Sequence, residues 1–135
     1  AFAICKGMEN SGGADLLAGY IIMLGHNYSP YVLLAVLFII TNIFTELITN
    51  NAAAALSFPI ALSLSTQLGI NPMPFFVVIC MAASASFSTP IGYQTNLIVQ
   101  GIGNYKFTDF VRIGLPLNII TFLISVFLIP LIWPF

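Results

Sequence analysis

The chain has 135 residues, 59% of them hydrophobic and only 5% charged, with a net charge of −1 and a mean hydropathy of +1.04. A soluble domain carries about 25% charged residues, so this composition reads as an integral membrane protein and not as an apolar piece of soluble core. A nucleic-acid partner is excluded as well, because that footprint needs clustered Lys and Arg.

The charges are Lys6, Glu9, Asp15, Glu46, Lys106, Asp109 and Arg112, and none falls between Leu47 and Tyr105. Cys5 and Cys80 make no CxxC or metal spacing and read as small apolar residues. The chain opens on Ala1 in mid-pattern, without a basic leader. It is expected to be a piece of something longer.

In chain order, residues 1–12 read as a helix end or a short interfacial helix, closed by Gly12-Gly13. Leu16 to Leu24 reads as a short helix with Asp15 as its cap. Gly25 to Pro30 is a turn cluster, and its His26 reads as a solvated loop side chain. Tyr31 to Phe44 and Ala52 to Leu68 are apolar helices, the second interrupted by Pro59. Each is short of the roughly 20 residues a straight crossing needs. Together they are expected to form a re-entrant helical hairpin over about residues 31–68, with "TELITNN" (Thr45 to Asn51) at its tip.

Phe75 to Phe87 is apolar and rich in small residues, which favour close helix packing in lipid. "STPIGYQTN" (Ser88 to Asn96) interrupts it, giving a broken helix over about residues 72–102. Gly103 to Arg112 is a compact polar loop, whose Lys106 and Arg112 place it on the cytoplasmic side. A final transmembrane helix is expected over about 110–134, with Trp133 as an interfacial anchor.

The two polar interruptions carry the chemistry. Each sets Thr and Asn into an otherwise apolar helix. One such break is as well explained by a simple kink, since Pro90 alone can break a helix. Two within about 50 residues point instead to a transporter site, where half-helix N-termini face an anion and unwound carbonyls hold a cation. Neither break contains Lys or Arg. A bound anion would be held by neutral donors, helix dipoles and a co-bound cation. Glu46 has two readings: it braces the tip by accepting N–H bonds, or it titrates as a proton-coupling group. Ala52 to Ala55 reads as the slim start of the returning helix. No nucleophile–base pair, metal cluster or phosphate loop appears, so no enzyme and no cofactor is expected.

"TELITNNAAAALSFPIALSL" and "SFSTPIGYQTNLIVQGIGNYKFTDFVRIGLPLN" resemble the divalent-anion:sodium symporter family, also called solute carrier 13 or citrate-transporter-like permeases. The resemblance covers nearly the whole chain but only the C-terminal part of such a permease. It implies an all-α membrane fold of two inverted repeats, of which this chain would be the C-terminal one. It implies sodium-coupled transport of a small anion, sulfate or a di- or tricarboxylate, by an elevator motion in a homodimer. The expected location is the cell membrane, the inner membrane of a bacterium.

The family's hairpin tips carry Ser-Asn-Thr; the matching tip here is Thr49-Asn50-Asn51. By that match, Thr45, the Ile48 carbonyl, Asn50 and the Gly92 carbonyl would hold sodium. Thr49, Asn50, Asn51, Gln94, Thr95 and Asn96 would face the anion. Asn51 in place of Thr, and Tyr93-Gln94-Thr95 where dicarboxylate carriers often have Thr-Pro-Pro, lean towards sulfate. Two alternatives remain open at this stage. One is a proton-coupled or arsenite-type carrier of the same superfamily; the other is a membrane structural subunit that does not transport.

Overall fold

Seven helices and no strand make up the described part of the chain, residues 2–24 and 29–135 of a computed structural model. His26 lies outside the described residues. Helices α1 (Phe2–Asn10) and α2 (Gly13–Leu24) are separated by only two residues. Gly12 makes that tight turn by taking a left-handed backbone (φ 70°), which costs glycine nothing. α2 therefore starts at Gly13, earlier than the expected Leu16. Asp15 lies in its first turn, where its carboxylate accepts the Ser63 hydroxyl.

α3 (Pro30–Leu47) starts on Pro at its first position, where no N–H is needed. It runs 18 residues, or about 27 Å at 1.5 Å per residue. The apolar stretch ending at Phe44 underestimates it, because Thr45 and Glu46 continue the helix. Both are buried yet hydrogen-bonded, so their polarity does not end it. α3 thus has the length and apolarity of a crossing helix, as does α7.

After Ile48 and Thr49, α4 (Asn50–Leu68) folds back along α3. The Thr41 hydroxyl donates to the Ser57 hydroxyl (2.8 Å), tying the two helices midway. Pro59 does not interrupt α4; it lies buried inside the continuous 19-residue helix. Of the four alanines only Ala53 is buried; the others are half-buried in the helix's first turns.

α5 (Met73–Ser84) gives way to a non-helical segment, Ala85–Tyr93, before α6 (Gln94–Gly103). The interruption begins three residues earlier than the polar pattern predicts, and Gln94, Thr95 and Asn96 belong to α6's first turn. The polar loop shrinks to Asn104–Lys106, since α7 (Phe107–Ile132) begins inside it. The Lys106 N–H donates to Asp109 Oδ2 (2.8 Å), an N-terminal cap that hydropathy alone would assign to a loop.

The core sits among α3, α4 and α5. Leu34, Leu37 and Phe38 meet Ile60, Ala61 and Leu64, with Phe75, Val78 and Ala82 closing the third side. α7 lays its Gly114, Asn118, Ser125 and Ile129 stripe on this unit. α6 buries no side chain.

Candidate transport site where two helix interruptions meet

The tip between α3 and α4 is two residues long. Ile48 (φ −131°, ψ −176°) and Thr49 (φ −71°, ψ 150°) are both extended; the Ile48 carbonyl leaves the helical ladder, while the Thr49 carbonyl accepts the first bond of α4 from the Ala53 N–H (2.9 Å). The Thr49 side chain accepts from the Ala52 N–H (3.4 Å) and so caps α4. Asn50 and Asn51 occupy the first helical turn, where backbone N–H groups and the helix dipole favour an anion. Thr49 and Asn51 are exposed, and Asn50 is half-buried.

The interruption of α5 docks against this tip. The Ser86 hydroxyl donates to the Thr45 carbonyl (3.1 Å), and Asn42 Nδ2 donates to the Ala85 carbonyl (2.7 Å). The Glu46 carboxylate takes the N–H of Ser88 on one oxygen (2.8 Å) and that of Thr89 on the other (2.7 Å). The Thr89 hydroxyl returns a bond to the Glu46 carbonyl (2.7 Å). Backbone groups freed by the break are thus satisfied by the end of the neighbouring helix, as irregular backbone away from water requires.

Gly92 is buried with its Cα against the Thr45 carbonyl and the Ser86 hydroxyl, leaving no room for a Cβ. Thr45 Oγ1 lies 2.6 Å from the Ala83 carbonyl and 2.8 Å from Asn50 Oδ1. A hydroxyl has one proton, so it serves one of these acceptors at a time. When that proton points to Ala83, two oxygens face each other with lone pairs only. That arrangement suits a small hard cation.

Thr45, Asn50 and Gly92 therefore come together, with Ile48 on the extended tip between Thr45 and Asn50. Asn96 reaches back to the Ser86 carbonyl (3.4 Å) and so joins the same neighbourhood. Gln94 and Thr95 are exposed on α6, and no hydrogen bond among the described residues joins them to the tip. A groove of about 800 Å³ between α6 and α7 is lined by Phe87, Asn96, Val99, Arg112 and Gly114 among others; of the predicted residues it includes only Asn96.

Reading the sequence alone misses Asn118. It lies in the longest apolar run, yet Nδ2 donates to Glu46 Oε1 (2.8 Å) and to Ser88 Oγ (2.7 Å). Gly114 and Asn118, one turn apart within an apolar helix, are the signal that could have marked it. Among the described residues no group of His, Cys, Asp and Glu is arranged to hold a metal ion. The oxygens assembled here are hydroxyl, amide and backbone carbonyl.

The family described as citrate transporter matches residues 1–135. An uncharacterised transporter of Synechocystis is 45% identical over 126 residues, covering 93% of this chain and 21% of that protein. A sodium/sulfate cotransporter of Chlamydomonas reinhardtii is 38% identical over 130 residues, covering 96% of this chain and 15% of that protein. A sodium-dependent dicarboxylate transporter of Staphylococcus saprophyticus is 30% identical over 132 residues, covering 98% of this chain and 25% of that protein. The chain spans a quarter or less of the length of each of these relatives.

Proposed function

Because the chain belongs to the citrate-transporter family, a family of membrane transporters and not of enzymes, we propose that it forms the C-terminal part of a permease that moves a small divalent anion with sodium. The carrying observation is the meeting of Thr45, Asn50 and Gly92 where two helix interruptions dock. On this reading Thr45, Asn50 and the carbonyls of Ile48 and Gly92 hold sodium. Thr49, Asn50 and Asn51 then present an anion to the N-terminus of α4, while Asn96, Gln94 and Thr95 approach from α6. The bound cation supplies the positive charge that no Lys or Arg of either break provides.

A re-entrant α3–α4 hairpin is supported by where its tip lies. The last turn of α3, just before the tip, bonds the middle of the interrupted α5–α6 segment, a position of mid-depth if that segment crosses the bilayer. The hairpin and the broken helix would move together as a transport unit within a homodimer. Glu46 fits the bracing role better than proton coupling, since donors already occupy both of its oxygens.

Sulfate is the favoured anion. Asn51 stands where the family's tip motif has Thr, and the sodium/sulfate relative is more similar than the dicarboxylate one. The test is uptake by the full-length permease in proteoliposomes, against sodium at fixed pH and against pH without sodium. Sodium-driven sulfate uptake, with succinate gaining relative to sulfate in Asn51→Thr, is expected. Uptake driven by a proton gradient without sodium would refute the coupling, and an unaltered anion ratio in Asn51→Thr would refute the role of Asn51.

A further inference from the structure

Asn118 stands in the middle of α7 and is 7% exposed. One turn earlier, Gly114 packs against the backbone of Phe87 and Ser88 with no space for a Cβ. That close approach lets a short amide reach the interrupted segment. Asn118 Nδ2 then spends both protons there, one on Glu46 at the hairpin tip and one on Ser88 in the break. Its own Oδ1 is buried without a partner among the described residues. An orphaned buried carbonyl is costly. An apolar side chain at this position would avoid that cost, so the contribution of the amide lies in its two donors.

We propose that Asn118 is a positioning residue for the cation site, acting through Glu46 and Ser88 on Thr45 and Gly92. The path is short. Asn118 holds Glu46 Oε1; the Glu46 carboxylate holds the Ser88 and Thr89 N–H groups; and Thr45, the residue before Glu46, takes the Ser86 hydroxyl on the carbonyl that Gly92 packs against. Removing the amide leaves Glu46 Oε1 with the Ser88 N–H as its one remaining donor and frees the Ser88 hydroxyl. The segment carrying Gly92 then loosens against Thr45. Partners one shell outside a ligand set typically change metal affinity by about 10- to 100-fold when removed. The inference rests on the sodium reading above.

The test is sodium-driven anion uptake by the full-length permease carrying Asn118→Leu, Glu46→Gln, or both, on purified, folded protein in proteoliposomes. Asn118→Leu is expected to raise the half-saturating sodium concentration about tenfold, with the maximal rate at saturating sodium largely retained. The double variant is expected to be no worse than the more affected single variant, because both changes break one path. If Asn118→Leu does not fold, Ser88→Ala removes only one of the two acceptors and is expected to shift sodium affinity in the same direction. Lower folded yield or maximal rate with unchanged sodium half-saturation would overturn the proposal, as would effects of the two single variants that multiply. A wild-type protein with no sodium dependence would overturn both readings. Sodium dependence that is intact in the wild type and unaltered in Asn118→Leu would overturn this one alone.

Discussion

At Gly92 the demand on a single residue is most explicit. Its Cα rests on the Thr45 carbonyl, a backbone group in the last turn of α3, and on the Ser86 hydroxyl. A hydroxyl can rotate away; a carbonyl held in a helix cannot. Gly92→Ala is therefore expected to push the two interruptions apart, at a cost of about 1–3 kcal/mol as in other overpacked sites. It should lower the thermal midpoint of the full-length permease and reduce its protection by sodium. Gly101→Ala is the control, because nothing lies within 4 Å of a Cβ there. Equal behaviour of the two variants would mean that Gly92 does not set the approach. The residues of this site were partly legible: Thr45 and Asn50, five apart in an apolar chain, are the pair that meets at 2.8 Å. Asn118 was not, because its partners lie 72 and 30 residues away and no local pattern encodes that distance.

Among the elements, α3 and α4 differ most from what their hydropathy predicts. Apolar runs stop at Phe44 and resume at Ala52, but the helices run to Leu47 and restart at Asn50. Thr45 and Glu46 are carried in helix because partners on α5 and on the break satisfy them. Midway along the pair, Thr41 and Ser57 bond hydroxyl to hydroxyl with no exposure to solvent. Interhelical bonds of this kind average about 0.6 kcal/mol in membrane proteins. A double-mutant cycle of Thr41→Val and Ser57→Ala, read from reversible unfolding of the full-length protein in mixed micelles, is expected to give a coupling of about that size. A coupling indistinguishable from zero would leave the hairpin held by packing alone.

On the scale of the whole molecule, α6 leaves Leu97, Ile98, Val99 and Ile102 exposed, and α7 exposes most of its apolar surface. Lipid and the remainder of a longer permease are the surroundings such faces suit, and the relatives are at least four times the length of this match. The 135-residue chain reconstituted alone is expected to show no sodium-driven sulfate or dicarboxylate uptake, because under the proposed reading the rest of the permease completes the site, and the chain spans a quarter or less of the length of these relatives. Uptake above protein-free liposomes would refute that dependence.

By itself the sequence determined the membrane character, the helical class and the two places where helices are interrupted. Each follows from local chemistry: few charges, long apolar runs, and Thr, Asn, Pro and Gly where backbone groups must be re-satisfied. Only the tertiary structure decided that the two interruptions meet. Hydrogen bonds from Ser86, Ser88 and Thr89 to Thr45 and Glu46 span 41 to 43 residues, and Gly92 and Gly114 admit the close approach that makes them possible. Which polar atoms satisfy one another is set by packing between segments distant in the chain.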